Sequence, residues 1–247
     1  MKKLMIALVS AATLVGYAVE KDDAAQHDSS VMNAGVYSSN AKVKGGVNAV
    51  FIGNSITLHG PYADIGWTNN YGMAASCVEK DYVHLMGAAI EKKTGRKVSY
   101  TIRNIADFER DFRHYDLKLL DDAAAVDADY LVIAIGENAP WLGVEADRQA
   151  YYEAFKKLVG KFMDGKKKKP RAVIRGVWWF NDYKDNAMAK VAKEYGIPFV
   201  KTHDLFKTPG MDAKQSGYKH PGIQGHPGDK GMQAIADRLL KPLFENK

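Results

Sequence analysis

Cysteine is nearly missing from this chain of 247 residues. Cys77 stands alone, which excludes an internal disulfide framework and a multi-cysteine zinc site. The apolar run at the start, Leu4 to Val15, falls short of the about twenty residues a helix needs to cross a bilayer, so no stable membrane insertion is expected. Charge of one sign is barely in surplus: 35 basic residues face 29 acidic ones, and two of the basic residues are Lys2 and Lys3. A nucleic-acid partner would call for a concentrated basic face. The one dense run, Lys166–Lys169, lies between a helical and a strand-like pattern and reads as a solvated loop, so no nucleic acid is expected. Eight prolines and 22 glycines are ordinary numbers, which sets aside collagenous and disordered classes. What is left is length enough for one globular domain with a sizeable core.

The N-terminus has a different logic. Two lysines, a short apolar core and the small-residue stretch Gly16-Tyr17-Ala18 form the layout of an export signal. Residues 1–18 therefore read as a signal peptide cut after Ala18, and the mature protein is expected in the periplasm or outside a bacterial cell. Leu14-Val15-Gly16 resembles the start of a lipoprotein signal, but Tyr17 occupies the place of the lipidated cysteine. Residues 19–46, rich in Asp, Ser, Asn and Ala and without periodicity, read as a linker or N-terminal arm. The remainder, 47–247, reads as one domain.

In that domain short apolar runs alternate with helical patterns, the signature of βαβ units and a parallel sheet. Strands are expected at Asn48–Ile52, Val98–Ile102, Asp129–Ile135, Ala172–Trp178 and Ile197–Lys201. Helices are expected over Asp81–Lys93 with a stop at Gly95, over Tyr151–Met163, through Met188 and Tyr195 to a stop at Gly196, and through Met232 to Leu243. The fold class is thus α/β, a three-layer doubly wound sandwich around a five-stranded parallel sheet. Such sheets carry their ligand sites beyond the carboxyl ends of the strands. In strand order, those ends present Gly53-Asn54-Ser55, Asn104-Ile105-Ala106, Gly136-Glu137-Asn138, Trp178-Trp179-Phe180 and Thr202-His203-Asp204. His220 and His226 precede the last helix.

A serine on a strand-to-helix turn is placed for nucleophilic attack, although serine is equally a common helix cap there. Asn138 could equally form a turn and His226 lie in a plain loop. In combination and in this order, the blocks resemble the SGNH (GDSL-like) hydrolase family, a flavodoxin-like fold. Gly53-Asn54-Ser55 corresponds to its Gly-Asp-Ser block, Asn104-Ile105-Ala106 to Asn-x-Gly, and Gly136-Glu137-Asn138 to Gly-x-Asn. His226-Pro227-Gly228-Asp229-Lys230-Gly231 corresponds to the His-Pro stretch that opens the last helix. The resemblance implies Ser55 as nucleophile and His226 as general base. It implies an oxyanion hole from the backbone N–H groups of Ser55 and Ala106 and the Asn138 side chain.

The family's Asp three residues before the histidine is replaced by Ile223. A Ser–His dyad follows, with the carbonyl of Ile223 or a neighbour orienting the imidazole; Glu137 or Asp204 would be substitute acids. Asp229 reads as helix-capping chemistry. His220 and His226 lack a third partner for a metal, so neither metal nor cofactor is expected.

This chemistry is acyl transfer through an acyl-enzyme, with an acylated carbohydrate as the expected substrate. Tyr62, Trp67, Tyr71, Trp178 and Trp179 are candidates for stacking on sugar rings, Glu137 is a further candidate for substrate contact, and the segment from His59 to Lys80 is a candidate specificity loop. A carbohydrate O-acetylesterase is the first reading. A lysophospholipase or thioesterase, an O-acetyltransferase, and a weakly catalytic glycan-binding protein are the alternatives. The sugar, the acyl position and the oligomeric state are not legible.

Overall fold

Apolar side chains on the central strands divide cleanly between two faces. The computed structural model describes residues 37–40 and 42–245, so the segment expected to be a signal peptide and most of the expected arm lie outside the described residues. Along β2 (Val47–Gly53), Val47, Ala49 and Phe51 enter one buried cluster, whereas Val50 and Ile52 enter another. Tyr130, Val132 and Ala134 of β4 (Tyr130–Ala134) share the first cluster, and Leu131 and Ile133 the second. Successive side chains of a strand point to opposite faces, so strands apolar at every position need a layer of helices on each side.

That is the architecture observed. In chain order the elements are β1 (Tyr37–Ser39), β2, α1 (Tyr82–Thr94), β3 (Val98–Asn104), α2 (Ala106–Arg110), α3 (Asp121–Ala125), β4, α4 (Glu145–Met163), β5 (Arg171–Arg175), α5 (Asp182–Tyr195), β6 (Phe199–Val200), α6 (His203–Phe206), α7 (Pro221–Gln224) and α8 (Asp229–Glu245). Helices α1 and α8 cover one face, and α2 to α5 the other. The strand order is β1-β3-β2-β4-β5-β6, with β2 to β6 parallel. The order reverses at β2, which places the end of β2 at the topological switch point where such sheets bind ligands.

Among the described residues the sheet has six strands, one more than expected. The extra edge strand, β1, comes from the segment read as a loose arm and runs antiparallel to β3, Tyr37 facing Arg103 and Ser39 facing Thr101. It is three residues long and therefore shows no period. What holds it is long-range: the buried Arg103 guanidinium lies 3.5 Å over the Tyr37 ring, and the Asn40 carboxamide extends the ladder to Val98 O (3.0 Å) and Tyr100 N–H (2.6 Å). Helix α4 begins six residues before the expected start, because its first turn is polar. Glu145 and Asp147 there favour the helix N-terminus without contributing to an apolar stripe. Gly95 and Gly196 end α1 and α5 in the left-handed conformation (φ 68° and 67°), as their positions in the sequence imply.

Gly53 closes β2 immediately before the turn that carries Ser55. A Cβ there would lie 1.7 Å from Thr57 Oγ1, an atom held in turn at 2.7 Å by Tyr82 Oη. The turn folds back on itself this tightly only without a side chain at 53. Replacing Gly53 by Ala should cost about 1–3 kcal/mol of stability, the usual range for overpacking a core, and should displace the Ser55 turn. Chemical denaturation beside an ester-hydrolysis assay measures both effects.

Candidate active site

Ser55 follows the end of β2 at the carboxyl edge of the sheet. Its turn is held by Asn54, whose Oδ1 accepts the Ile56 N–H at 3.1 Å and whose carbonyl accepts the N–H groups of Thr57 (2.9 Å) and Leu58 (3.0 Å). The Ser55 carbonyl accepts the Met73 N–H at 2.8 Å, so the 59–80 segment is fastened to the serine itself. The Oγ of Ser55 lies 2.8 Å from Nε2 of His226, a residue 171 positions away.

His226 is fixed on every side. Its backbone N–H donates to Ile223 O (2.9 Å) and its carbonyl accepts the Ala213 N–H (2.9 Å). On the ring, Nδ1 lies 2.6 Å from the Gly222 carbonyl, and the Trp179 ring meets the imidazole edge to face at 5.3 Å between centroids. A carbonyl only accepts, so Nδ1 carries the proton and Nε2 offers its lone pair to Ser55. The group at Nδ1 is thus the carbonyl of a neighbour of Ile223, and no carboxylate bonds Nδ1 among the described residues. Glu137 and Asp204 are engaged elsewhere: Glu137 pairs with Arg175, and Asp204 takes two bonds from Arg238 at 2.5 and 2.7 Å.

Ile223 is wholly buried in a third apolar cluster with Trp67, Met73, Ala74 and Ala213. The 59–80 segment, expected to shape specificity, also supports the His226 loop through this cluster. Ala74 holds a left-handed backbone (φ 77°), a conformation that a residue with a Cβ adopts only when its surroundings impose it. His220 is exposed and caps α7 through Nδ1, which accepts the Gly222 N–H at 3.2 Å. Asp229 ties the start of α8 to Ser76 (2.8 Å) and Lys80 (2.9 Å).

Beneath Ser55 lies a buried polar assembly of which the sequence patterns show only a part. Asn54 Nδ2 donates to Glu109 Oε1 (2.9 Å) and to Glu137 Oε2 (2.5 Å). Glu109 also accepts the Gly136 N–H and one N–H of Asn138 Nδ2. Glu137 accepts Arg175 (2.7 Å) and the Trp178 N–H (2.8 Å), while Lys184 Nζ donates to the Ala139 carbonyl (2.5 Å). Two carboxylates and two cations thus share a desolvated site, close to the charge balance that burial demands. Glu109, Arg175 and Lys184 belong to no recognisable block. Arg175 alone carries a signal, a charge that follows the apolar run Ala172-Val173-Ile174; Glu109 and Lys184 lie in polar stretches and carry none.

The titration of these groups follows from burial. Burial and the charge of Glu137 push the Glu109 carboxyl up to about 7, despite its three donors. Burial also works against the Glu137 charge, but Arg175, the Trp178 N–H and Asn54 hold its carboxyl below the usual range. Burial lowers His226 to about 4, with the Gly222 carbonyl and Glu137 opposing the fall. The imidazole is therefore neutral, and able to accept a proton, far below the ordinary 6.5 of histidine.

Of the expected oxyanion donors, two keep an N–H without an acceptor among the described residues and one is engaged. Asn138 has a second amide proton beyond the one held by Glu109, and the Ser55 N–H donates to no acceptor among the described residues. The Ala106 N–H, by contrast, donates to Asn104 Oδ1 at 2.9 Å, while Asn104 Nδ2 donates to Leu58 O at 2.8 Å. Asn104 thereby locks the second loop to the serine turn and takes up the expected third donor.

The expected sugar-stacking residues divide differently. Trp67 and Trp178 are fully buried and cannot offer a face to a sugar; Trp67 Nε1 donates to His59 O (2.9 Å) and Trp178 Nε1 to Gly225 O (3.0 Å). Glu137 is likewise enclosed, its side chain 1% exposed, so it supports the site from below instead of touching substrate. Tyr71 packs edge to face on Trp67 at 5.3 Å. Tyr62 is exposed, and Trp179 is half-buried beside His226.

Neither a protein-family model nor a curated protein sequence matches this chain. Solved structures do. A two-domain esterase active on acetylated mannans matches 81% of this chain and 49% of its own at 18% identity, with a TM-score of 0.52. The same esterase co-crystallised with mannopentaose matches with the same coverage and identity and a TM-score of 0.51. A Bacteroides uniformis protein described as a GDSL-like lipase matches over 79% of this chain and 94% of its own at 14% identity, with a TM-score of 0.49. The chain spans about half the length of the mannan esterase. Over the matched region the chain shares the three-layer α/β fold of the mannan esterase.

The burial of this site fixes how its activity should respond to pH and to substitution. Rate against pH should show two rises, one near 4 where His226 loses its proton and a second, well above the usual carboxylate range, where Glu109 ionises. Only the carboxylate accepts all three donors; a proton on it meets one of them. Glu109→Gln should delete the upper step, keep the lower one and reduce kcat by up to about 10²-fold, the lower bound for loss of an oxyanion donor. A profile with a single rise near 6.5 would contradict both assignments. Ile223→Asp should fail to build a triad, since it sets a carboxylate among Trp67, Met73 and Ala213. A loss of about 3 kcal/mol or more in denaturant titration, without gain in kcat, is the expected result.

Proposed function

We propose that this chain is an exported serine esterase that removes small acyl groups, acetyl foremost, from carbohydrate. The observation that carries the reading is the relay Ser55 Oγ–His226 Nε2 (2.8 Å) and His226 Nδ1–Gly222 O (2.6 Å). A hydroxyl becomes a nucleophile when a neutral imidazole, held in the correct tautomer, stands ready to take its proton.

In this mechanism Ser55 Oγ attacks the ester carbonyl as its proton passes to His226 Nε2. The carbonyl oxygen becomes an oxyanion, met by the Ser55 N–H and the second amide proton of Asn138. The tetrahedral adduct collapses, the C–O bond to the sugar oxygen breaks at the acyl carbon, and His226 returns the proton to that departing oxygen. Water then attacks the acyl-serine with His226 again as base, releasing the acid and restoring Ser55. The imidazolium formed in each half is offset by the Gly222 carbonyl and, through space, by the Glu137 charge, the two influences that already oppose the lowering of its pKa.

The substrate class draws support from the mannan esterase, which shares the fold and has been co-crystallised with mannopentaose. That enzyme carries a further half that this chain does not match, so the substrate is taken here as an acetylated polysaccharide, its sugar left undefined.

The test is release of acetate from 4-nitrophenyl acetate and from acetylated polysaccharides, with Ser55→Ala and His226→Ala beside the wild type. Each substitution should lower kcat by on the order of 10³ or more, and the double variant should be no worse than either, because the two groups act as a unit. Multiplicative losses would show that they act apart. Activity that survives Ser55→Ala would refute the serine mechanism.

A further inference from the structure

Of the chain's four tryptophans, Trp67 and Trp178 are buried and Trp179 is half-buried against His226. Trp141 is 70% exposed. A lone exposed aromatic residue is commonplace on a protein surface. Trp141 differs in how firmly it is presented and in where.

It sits on the loop after β4, three residues beyond Asn138. Three residues of chain extend at most about 11 Å, so its backbone lies no farther than that from the backbone of the oxyanion donor. The residues between them hold the loop down. Ala139 is buried, its carbonyl taken by Lys184 Nζ, and Leu142 on the other side of Trp141 is wholly buried. Arg148 Nη1 draws in the carbonyls of Leu142 (3.1 Å) and Gly143 (2.8 Å). The same guanidinium lies 4.7 Å over the ring of Tyr183, and Tyr183 meets the Trp141 indole edge to face at 5.5 Å. On the near side the indole runs across Gly143, where a Cβ would stand 2.6 Å from Trp141 Nε1. The ring is therefore oriented by Tyr183 and Gly143 and left open to solvent.

We propose that Trp141, backed by Tyr183, is the sugar-stacking subsite that holds a neighbouring pyranose ring of the glycan whose ester is presented to Ser55. An indole face is electron-rich, and the axial C–H face of a pyranose is its complement. An immobilised ring loses little freedom on binding, which favours a subsite over a flexible contact. The inference rests on the carbohydrate reading above and adds to it the residue that distinguishes a glycan from a simple ester.

The experiment compares Trp141→Ala and Trp141→Phe with wild type on two kinds of substrate. One is 4-nitrophenyl acetate, and the other a set of acetylated oligosaccharides of mannose, xylose and glucose. Trp141→Ala should lower kcat/KM on the oligosaccharide about tenfold more than on the nitrophenyl ester, a loss the size of one stacked aromatic contact and expressed chiefly in KM. Trp141→Phe should recover part of it. In the Ser55→Ala background, calorimetric titration with the deacetylated oligosaccharide should show the same loss of affinity when Trp141→Ala is added. Equal losses on both substrates, or none on the oligosaccharide, would overturn the subsite while the esterase reading stands. A wild-type protein that turns over the nitrophenyl ester and no acetylated oligosaccharide would overturn the carbohydrate reading and the subsite together.

Discussion

Each polar atom of the Asn54 carboxamide is committed in the interior, and those commitments join the loops that build the site. Its oxygen shapes the serine turn by accepting the Ile56 N–H, one of its protons goes to Glu109 at the second loop, and the other goes to Glu137 at the third. Glu109 passes the constraint on to Asn138 and Gly136, and Glu137 passes it to Arg175 and the Trp178 backbone. An amide buried with all three bonds made is stabilising by only about 1 kcal/mol per bond, but one left with unmatched acids beneath it is costly. The geometry of Ser55 relative to Asn138 is therefore set less by the two loops themselves than by the amide and the two acids between them.

This arrangement explains a departure visible in the first block of the sequence. An aspartate at position 54 would bring a third carboxylate against Glu109 and Glu137, with just Arg175 and Lys184 to balance them. The asparagine supplies two donors where the two acids need them. Asn54, Glu109 and Glu137 thus form a matched set, and the block cannot be understood one residue at a time. The cations belong to the same assembly: Arg175 pairs with Glu137, and Lys184, whose charge is disfavoured by burial, keeps its place through carbonyls on the loop that carries Asn138.

Much of the layout is legible in the sequence, for identifiable reasons. Doubly apolar strands and glycine-stopped helices are local patterns, so spacing alone reveals the three layers and the carboxyl-edge location of Ser55, Asn138 and His226. What spacing does not reveal is long-range. Strand β1 is held by Arg103 and Asn40 rather than by its own three residues, so no period marks it. Trp67 and Trp178 share composition and neighbourhood with sugar-binding tryptophans, and only the third apolar cluster and the floor of the site show them to be buried. Trp141 is the converse case, since a tryptophan within an Ala-Pro-Trp-Leu loop carries no mark of its exposure. Glu109 escapes recognition because an acid five residues after Asn104 on a five-residue helix resembles any solvated helix residue.

The apolar residue at position 223, where the resembled family has an acid, takes on its meaning from the same packing. A carboxylate beside Nδ1 would stabilise the imidazolium, but it would have to sit where Ile223 joins Trp67, Met73 and Ala213. Here the pocket is apolar, and the orienting group is a backbone carbonyl, which fixes the tautomer without adding charge. The consequence is an imidazole that stays neutral down to about pH 4 and that, as the proposed base, pulls less strongly on the serine proton at neutrality. In the proposed mechanism the chain exchanges basicity for availability: a neutral imidazole persists across nearly the whole physiological range, and the burden of stabilising charge shifts towards the oxyanion side. There Glu109 holds the Asn138 amide, which makes that buried acid, on the proposed reading, the nearest counterpart in this site to a carboxylate beside the histidine.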